Sequence, residues 1–298
     1  MVSIPAQLPD WLRELYPFAP RRLALPGGEM SYVDEGTGEE AVVMVHGNPT
    51  WSFFYRNLVR ALRGRFRCIV PDHLGCGLSD KPQGYEYALA SHIANIETLL
   101  RHAGLKRWHL VVHDWGGPIG LGAALRNPLG LGRVVIMNTA AFRGPMPVRI
   151  RLCRMPVLGA LIVRGLNGFA GPATSMAVTR PLTTPVKRGY LFPYDNWRHR
   201  IAVHRFVRDI PLGQGGASDP VLDQITAHLP QLTASQVMLL WGAQDFCFNR
   251  FYYDRWCDYY PAAEKHYLAT AGHYLLEDAP EECGRLIGTF LSAPGGPG

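Results

Sequence analysis

The segment Val112-His113-Asp114-Trp115-Gly116-Gly117 decides the fold of this 298-residue chain. An apolar run at residues 108–112 leads into it, and a run rich in small residues follows at 116–126. This pattern is typical of a buried strand that turns sharply into a helix, with the two glycines allowing strand and helix to pack closely. The turn would place the carboxylate of Asp114 at its tip. The other interpretation is an Asp that only caps the helix.

Similar apolar runs flank this segment on both sides and alternate with helical patterns. Further strands are predicted at residues 41–46, 66–71, 133–137, 237–241 and 265–268. Helices are predicted at residues 53–63, 91–103, 116–126 and 280–291. Strands that alternate with helices predict an α/β fold, a parallel sheet with helices on both faces.

The alternation stops in the middle of the chain. Residues 142–231 are rich in Pro and Gly, basic, and helical only in short pieces, and strand signals return afterwards. We therefore predict a core made of residues 1–141 and 232–298, with residues 142–231 inserted as a helical cap. That length suits one large domain with an insertion.

The composition indicates an ordinary folded protein that stays in the cytoplasm. It is 47% hydrophobic and 18% charged, and no uninterrupted apolar stretch is long enough for a transmembrane helix. Asp10, Arg13 and Glu14 interrupt the N-terminus, so no secretory signal is expected. The six cysteines are scattered without a C-x-x-C pair, so neither a zinc site nor a disulfide framework is expected.

Positive charge is concentrated in the predicted cap. Residues 142–210 carry eleven Arg and one Lys against Asp195 and Asp209, a net charge of +10 in a chain whose total is +6. A solvated surface would explain this, as would attraction of an anionic substrate, an acidic partner or a membrane surface. Nucleic acid is not expected as a partner, because no recognition motif accompanies the charge.

The choice of Asp at the turn has a chemical consequence. No Gly-x-Ser-x-Gly motif occurs in the chain, which argues against an ordinary serine esterase. A carboxylate is ionised at neutral pH without help from a base, and it can attack an sp³ carbon that carries a leaving group. We therefore predict that Asp114 is a nucleophile that forms an ester with the substrate.

His273 and Asp245, which lie much later in the chain, complete a catalytic triad with Asp114. His273 lies shortly before the last helix and is the predicted base or proton relay. Asp245 follows a predicted strand and would accept a hydrogen bond from the ring of His273. The other place for such an acid, after residues 133–137, reads Asn138-Thr139-Ala140-Ala141 and offers no carboxylate.

Two residues with uncharged N–H donors, Asn48 and Trp115, flank the predicted strand that leads to Asp114. Asn48 follows His46-Gly47, and Trp115 follows Asp114. An amide N–H and an indole N–H that converge on one point would stabilise a departing anion. The alternatives are a turn residue for Asn48 and a packing residue for Trp115, while His46 and His113 are interpreted as structural.

These motifs resemble those of the haloalkane dehalogenases. His46-Gly47-Asn48-Pro49 and His113-Asp114-Trp115-Gly116-Gly117 match the form of that family in which an Asn–Trp pair binds halide. The resemblance implies an α/β-hydrolase fold with a mostly parallel eight-stranded sheet and an inserted cap. Epoxide hydrolases share the Asp turn, but they usually have Phe in place of Asn48 and need cap tyrosines, for which Tyr190 and Tyr194 are the candidates.

Longer stretches are similar to one branch of this group, the β-lactone decarboxylases of olefin biosynthesis. They are Leu15-Tyr16-Pro17-Phe18-Ala19-Pro20, Pro71-Asp72-His73-Leu74-Gly75, Asn138-Thr139-Ala140-Ala141-Phe142, Pro193-Tyr194-Asp195-Asn196-Trp197, Arg205-Phe206-Val207-Arg208-Asp209-Ile210-Pro211 and Trp241-Gly242-Ala243-Gln244-Asp245-Phe246-Cys247-Phe248. The resemblance implies conversion of a cis-3,4-dialkyl β-lactone to a cis-alkene and CO₂, without a cofactor or metal.

That resemblance carries further expectations about substrate and partners. Asn48 and Trp115 would hold the developing carboxylate, and residues 157–163, Phe169, Leu191 and Phe192 could line a tunnel for alkyl chains. The alternative activity is hydrolysis of carbon–halogen bonds through the same five residues. A third hypothesis is an interaction module that docks through the basic cap onto a membrane or another enzyme of the olefin pathway.

Overall fold

A single eight-stranded sheet forms the centre of the computed structural model, which describes residues 8–233 and 236–293. Its strands are β1 Arg21–Leu25, β2 Gly28–Glu35, β3 Ala41–Val45, β4 Arg67–Pro71, β5 Trp108–His113, β6 Leu131–Met137, β7 Val237–Gly242 and β8 Glu264–Leu268. They lie in the order β1-β2-β4-β3-β5-β6-β7-β8. Only β2 runs antiparallel to its neighbours, β1 and β4, which confirms the predicted mostly parallel sheet.

The central strands are buried on both faces, which is why the sequence shows them as continuous apolar runs. In β3, Val42 and Met44 pack into one apolar cluster, and Val43 and Val45 pack into the other, on the opposite face. The helices cover both clusters, so the sheet is the middle layer of three.

Seven helices of the described chain lie outside the segment between β6 and β7. They are α1 Asp10–Leu15, α2 Arg56–Leu62, α3 Leu89–Ala103, α4 Gly116–Arg126, α11 Arg250–Tyr259, α12 Leu275–Asp278 and α13 Pro280–Ser292. The helix predicted at residues 53–63 is divided, because a 3₁₀ turn at Ser52–Tyr55 precedes α2. Within the described residues, no helix is both long and apolar enough to cross a bilayer.

Six further helices occupy the segment between β6 and β7. They are α5 Val148–Arg154, α6 Pro156–Ala160, α7 Ala170–Met176, α8 Thr184–Leu191, α9 Ile201–Asp209 and α10 Asp219–His228. The described part of this segment contains no strand. α10 packs against α4, and its Leu222 and Ile225 belong to the large apolar cluster beside the sheet. The boundaries 142 and 231 of the cap stay a prediction.

Candidate active site

Asp114 lies at the sharp turn between β5 and α4, with a φ of 52° that non-glycine residues rarely adopt. The end of β6 holds this turn, because the Asp114 N–H donates to the Asn138 carbonyl at 3.2 Å and the Thr139 hydroxyl donates to the Asp114 carbonyl. Gly116 is required next to it, since a Cβ there would lie 1.9 Å from the Val45 carbonyl oxygen. The backbone around the turn therefore presents the carboxylate in one fixed position.

Backbone N–H groups hold that carboxylate on one side. The Asn48 N–H donates to Asp114 Oδ1 at 2.5 Å, and the Trp115 N–H also donates to this carboxylate. Gly47 makes this approach possible, because a Cβ there would lie 2.0 Å from Oδ1. The sequence predicted a role for the side chains of Asn48 and Trp115 but not for these backbone donors. The sequence feature that could have indicated these donors is Gly47, the small residue between the end of a strand and Asn48.

His273 faces the other oxygen of the carboxylate. Its Nε2 lies 3.8 Å from Asp114 Oδ2, and its Nδ1 lies 2.7 Å from Asp245 Oδ2. All three side chains are buried at the carboxyl edge of the sheet. The Asp245 carboxylate is an acceptor, so the Nδ1–H donates to it and leaves Nε2 directed at Asp114. The structure thus brings the three predicted residues together.

Asp245 is itself fixed by three hydrogen bonds besides that of His273. The N–H groups of Cys247 and Phe248 donate to its Oδ1 at 2.6 and 3.1 Å, and the Asn138 amide donates to its Oδ2 at 2.9 Å. These donors fix the carboxylate in the position from which it accepts the hydrogen bond of His273.

Asn138 is a site residue that was not predicted. From the sequence, its segment was noted only because it offers no carboxylate. Its side chain bridges β6 and β7, because Oδ1 accepts the Gly242 N–H at 2.8 Å while Nδ2 donates to Asp245 and to the Gly242 carbonyl. Its φ of 33° is a conformation that Asn tolerates better than most residues. The signal was its position at the end of a strand beside the one that precedes Asp245.

Burial and neighbouring charges shift the pKa values of both Asp114 and His273. Burial raises the pKa of Asp114 to about 6, although His273 and the two backbone N–H groups oppose the shift. Burial alone would lower the pKa of His273, but the carboxylates of Asp245 and Asp114 outweigh it and raise that pKa above 6.5. Asp114 is therefore an ionised nucleophile at neutral pH, held with little hydration.

The side chains of Asn48 and Trp115 both line the cavity beside Asp114. Helix α9 positions them, because the Asn48 amide donates to the Val203 carbonyl at 3.1 Å and Trp115 packs on Phe206 with ring centroids 5.2 Å apart. The second N–H of the Asn48 amide and the indole N–H of Trp115 donate to no protein atom in the described chain. Two uncharged donors thus remain for a ligand.

His46 and His113 act as buried structural groups in this arrangement. His46 Nε2 accepts the His73 N–H at 3.1 Å, so its Nδ1–H donates to the Gly47 carbonyl at 2.8 Å. His113 Nε2 donates to the His273 carbonyl at 2.8 Å, and burial lowers its pKa well below 6.5. Both neutral rings support the loops on which the site is built.

The site opens into a cavity of about 370 Å³ with mostly apolar walls. Asp114, Asn48, Trp115 and His273 lie among its lining residues. Of the stretch proposed as a tunnel, Ile162 and Phe169 line this cavity. The tunnel prediction was wrong for the others, because Leu191 and Phe192 lie outside the lining and Val157, Leu158 and Leu161 point towards solvent.

The two cap tyrosines that an epoxide hydrolase would need are engaged elsewhere. The Tyr190 hydroxyl donates to Glu277, which also forms a buried ion pair with Arg56. The Tyr194 hydroxyl donates to the Thr50 carbonyl at 3.2 Å. Neither tyrosine lines the cavity. No group of His, Cys, Asp or Glu in the described residues is arranged to hold a metal ion.

The sheet, the turn at Asp114 and the order Asp114, Asp245, His273 define an α/β-hydrolase, and the α/β-hydrolase fold family matches residues 40–280. Two curated relatives are named cis-3-alkyl-4-alkyloxetan-2-one decarboxylase. The protein of Shewanella oneidensis is 44% identical over 94% of this chain and 91% of its own. That of Xanthomonas campestris pv. campestris is 41% identical over 93% and 97%. The chain belongs to the family of these decarboxylases.

The haloalkane dehalogenases are more distant relatives. Haloalkane dehalogenase 2 of Mycobacterium tuberculosis is 33% identical over 92% of this chain and 95% of its own. The crystal structure of haloalkane dehalogenase DatA from Agrobacterium tumefaciens C58 is 25% identical, with a TM-score of 0.83 over 92% of this chain and 96% of that one. Both comparisons extend across the sheet and the segment between β6 and β7.

Proposed function

We propose that this enzyme converts a cis-3-alkyl-4-alkyl β-lactone to a cis-alkene and CO₂, with Asp114 as the nucleophile. The observation that carries the proposal is a buried, ionised carboxylate in the lining of an apolar cavity that two residues with uncharged N–H donors, Asn48 and Trp115, also line. The 44% identity to a protein named for this activity supports the choice of substrate.

In the first step, Asp114 Oδ2 attacks the ring carbon that carries the ring oxygen. A carbon–oxygen bond forms to Asp114, the ring carbon–oxygen bond breaks, and the electrons of that bond leave on a carboxylate. The free N–H groups of Asn48 and Trp115 are placed to donate to this carboxylate as its charge develops. Oδ1 stays bound to the backbone N–H of Asn48 throughout.

In the second step, the new carboxylate leaves as CO₂. The electrons of its carbon–carbon bond form the alkene, and the ester bond to Asp114 breaks, which regenerates the free carboxylate. Attack from behind the ring oxygen places the ester bond opposite the carbon–carboxylate bond. Elimination across these opposite bonds gives the cis-alkene from the cis-lactone.

Neither step transfers a proton or consumes water, which changes the role of His273. Its ring, oriented by Asp245, lies 3.8 Å from Oδ2 and favours the ionised form of Asp114. Asp245 and His273 then act on the charge and position of the nucleophile, and Asn138 acts by fixing Asp245.

Haloalkane dehalogenation is the second candidate, favoured by the same five residues and by the 33% identical relative. There Asn48 and Trp115 would hold a halide, and His273 would activate water to cleave the ester. This route needs water at the ester, in a cavity whose walls are mostly apolar.

The test compares the two substrates on one enzyme preparation. The protein is incubated with a cis-dialkyl β-lactone and, separately, with a bromoalkane of similar length, and alkene and bromide are measured. We expect alkene formation at least about tenfold faster than bromide release, since a site matched to one leaving group favours it by more than 1.4 kcal/mol. Absence of alkene from a folded protein would overturn the proposal.

We also propose a cytoplasmic location, because all six cysteines are free thiols, as is usual in a reducing compartment. The substrate is then a poorly soluble small molecule that other enzymes of an olefin pathway would supply. Co-purification of the tagged protein with the enzyme that forms the lactone would test this partnership, and a strictly separate elution of both would contradict it.

A further inference from the structure

A group of large apolar side chains faces solvent on one side of the segment between β6 and β7. They lie on α5, on α6, at the residue between these helices and at the start of the π-helical turn that follows, Leu161–Gly165. Their exposed fractions are Val148 71%, Leu152 47%, Met155 46%, Val157 75%, Leu158 44% and Leu161 54%. We call these six residues the cap face. Single exposed apolar residues are ordinary, but six within fourteen positions form an apolar patch, and such patches are typical of interaction sites.

The outward orientation of the cap face follows from the packing of its helices. Ile150 and Cys153 of α5 and Val163 of the turn are buried in the same small apolar cluster, which uses the inner side of these elements. α5 and α6 pack against each other, and the apolar side chains of both that lie outside this cluster form an exposed surface. The apolar residues on that surface are therefore not needed for the core of the segment.

The surroundings of the cap face are positively charged. Residues 142–194 contain seven Arg and one Lys and no acidic residue. Arg149 and Arg151 lie on α5 between Val148 and Leu152 of the cap face, and both are exposed. Neither forms an ion pair within the described residues, and the guanidinium of Arg149 donates a hydrogen bond to the sulfur of Met176 at 3.2 Å. The positive charge beside this apolar surface is thus left uncompensated.

The cap face continues into the mouth of the cavity. Leu152 belongs to both, since it lines the cavity and is also 47% exposed. Met176 and Phe246 also line the cavity, with exposed fractions of 37% and 43%. Arg149 lines the cavity as well. An apolar molecule could therefore pass from the cap face to Asp114 along apolar side chains.

We propose that the cap face binds the surface of a membrane that contains anionic lipids. The apolar side chains would enter the region between headgroups and acyl chains, while Arg149 and Arg151 would bind lipid phosphates. Charge complementarity favours anionic lipid, since each Arg near such a surface strengthens the attraction. The cavity mouth would then open towards the lipid, where a molecule with long alkyl chains partitions.

Vesicle flotation tests this proposal with the full chain. Vesicles of phosphatidylcholine alone are compared with vesicles that contain about one-third phosphatidylglycerol, an anionic lipid. Three variants are compared with the wild type: Val157→Glu with Leu161→Glu, Arg151→Ser, and Leu129→Glu as the matched control. Leu129 is 88% exposed and lies before β6, at the opposite edge of the sheet. None of these residues lines the cavity.

We expect the wild type and Leu129→Glu to float with the anionic vesicles and much less with phosphatidylcholine alone. The double glutamate variant should bind at least about tenfold more weakly, and Arg151→Ser about threefold to fivefold, because they remove apolar insertion and one charge. Raising the salt to about 0.5 M should weaken wild-type binding. Turnover of a short, water-soluble lactone, with no vesicles present, should be equal in all variants.

Three outcomes would overturn the proposal. The wild type could fail to bind either vesicle, or the double glutamate variant could bind as well as Leu129→Glu. The wild type could also self-associate in light scattering while the double glutamate variant stays monomeric without any difference in vesicle binding. That last result would assign the cap face to a second copy of the chain.

Discussion

Asp114 carries its negative charge in a place where burial disfavours it. Burial raises its pKa to about 6, while the backbone N–H groups of Asn48 and Trp115 and the ring of His273 limit the shift. The backbone of the same residue also adopts a positive φ. The buried charge and the positive φ both destabilise the folded state. Together they hold Asp114 in the turn as a poorly hydrated nucleophile.

The pH dependence of turnover follows from this pKa. Attack requires the carboxylate, so kcat/KM for a lactone should fall as the pH drops through about 6. Hydrolytic dehalogenation also needs neutral His273, whose pKa is raised above 6.5, and its acid limb should lie at higher pH. A pH–rate profile with a short-chain lactone checks this. If the acid limb of the profile for the lactone lay above pH 7, the roles assigned to Asp114 and His273 would be contradicted.

The charge of Asp114 should also limit stability. Because its folded pKa is raised, the folded state is favoured by protonation, and this stability is lost as the pH rises from 3.8 through about 6. Asp114→Asn is neutral at every pH. It should therefore melt a few degrees higher than the wild type near pH 8, an effect of about 1–3 kcal/mol that disappears near pH 4. A lower melting temperature for Asp114→Asn near pH 8 would contradict this account.

Asn138 should be a positioning residue for Asp245. Asn138→Gly keeps the positive φ accessible but removes the amide that donates to Asp245 and joins β6 to β7. We expect kcat to fall about tenfold with KM little changed, since one lost hydrogen bond is worth roughly 1.4 kcal/mol. The readout that separates positioning from folding is a shifted acid limb in the pH–rate profile. An unchanged limb with lowered melting temperature would make Asn138 merely structural.

At the scale of single residues, the sequence predicted the side chains whose chemistry is specific. Asp114, Asp245 and His273 stood out because a carboxylate at a strand-to-helix turn, a second carboxylate after a later strand and a His before the last helix follow one another in the α/β-hydrolase order. Asn138 and the backbone N–H groups of Asn48 and Trp115 could not be predicted this way. Their role depends on which strand ends are neighbours in the sheet, and a single chain segment does not carry that information.

Among the elements, the buried strands were predicted to within two residues because both of their faces are apolar. The hairpin of β1 and β2 was missed, since β1 lies at the edge of the sheet and buries only Leu23. Helices α6 and α7 were expected only as short helical pieces. Their packing onto α5 and α8 depends on contacts between segments, which no local pattern determines.

Helix α8 provides a test at this scale, because its Tyr190 is bound to Glu277 and not to the cavity. Tyr190→Phe should lower the free energy of unfolding by about 1–2 kcal/mol and change lactone turnover by less than about twofold. Tyr194→Phe, which loses a bond to the Thr50 carbonyl, should behave in the same way. Denaturant unfolding and steady-state assays measure both effects. Loss of turnover of more than about a hundredfold in either variant would point to the epoxide chemistry instead.

Glu277 itself should matter more for stability than either tyrosine. It forms a buried ion pair with Arg56, so Glu277→Gln leaves a buried guanidinium without its counter-charge. We expect a loss of about 3–5 kcal/mol in unfolding free energy, with the remaining folded enzyme still active. A loss below about 1 kcal/mol would show that Arg56 finds another partner or water.

For the whole molecule, residues that follow the strands of the sheet and residues of the inserted segment together line one apolar cavity that includes Asp114. Ala173 of α7 lines this cavity, while Ser175 of the same helix is exposed. Ala173→Phe should therefore lower kcat/KM for long-chain lactones by about tenfold more than for short ones. Ser175→Phe is the matched control and should not change the preference for chain length. An equal effect of both variants would contradict the position of the alkyl chains.

The central claim is that Asp114 opens a lactone and is regenerated without water. Turnover in H₂¹⁸O followed by mass analysis of the peptide that contains Asp114 tests this most directly, with enzyme kept in the same solvent without substrate as the control. We predict cis-alkene as the product and no ¹⁸O in Asp114 after many turnovers of lactone. Accumulation of ¹⁸O in Asp114, with a hydroxy acid in place of the alkene, would show that water cleaves the ester and would contradict the claim.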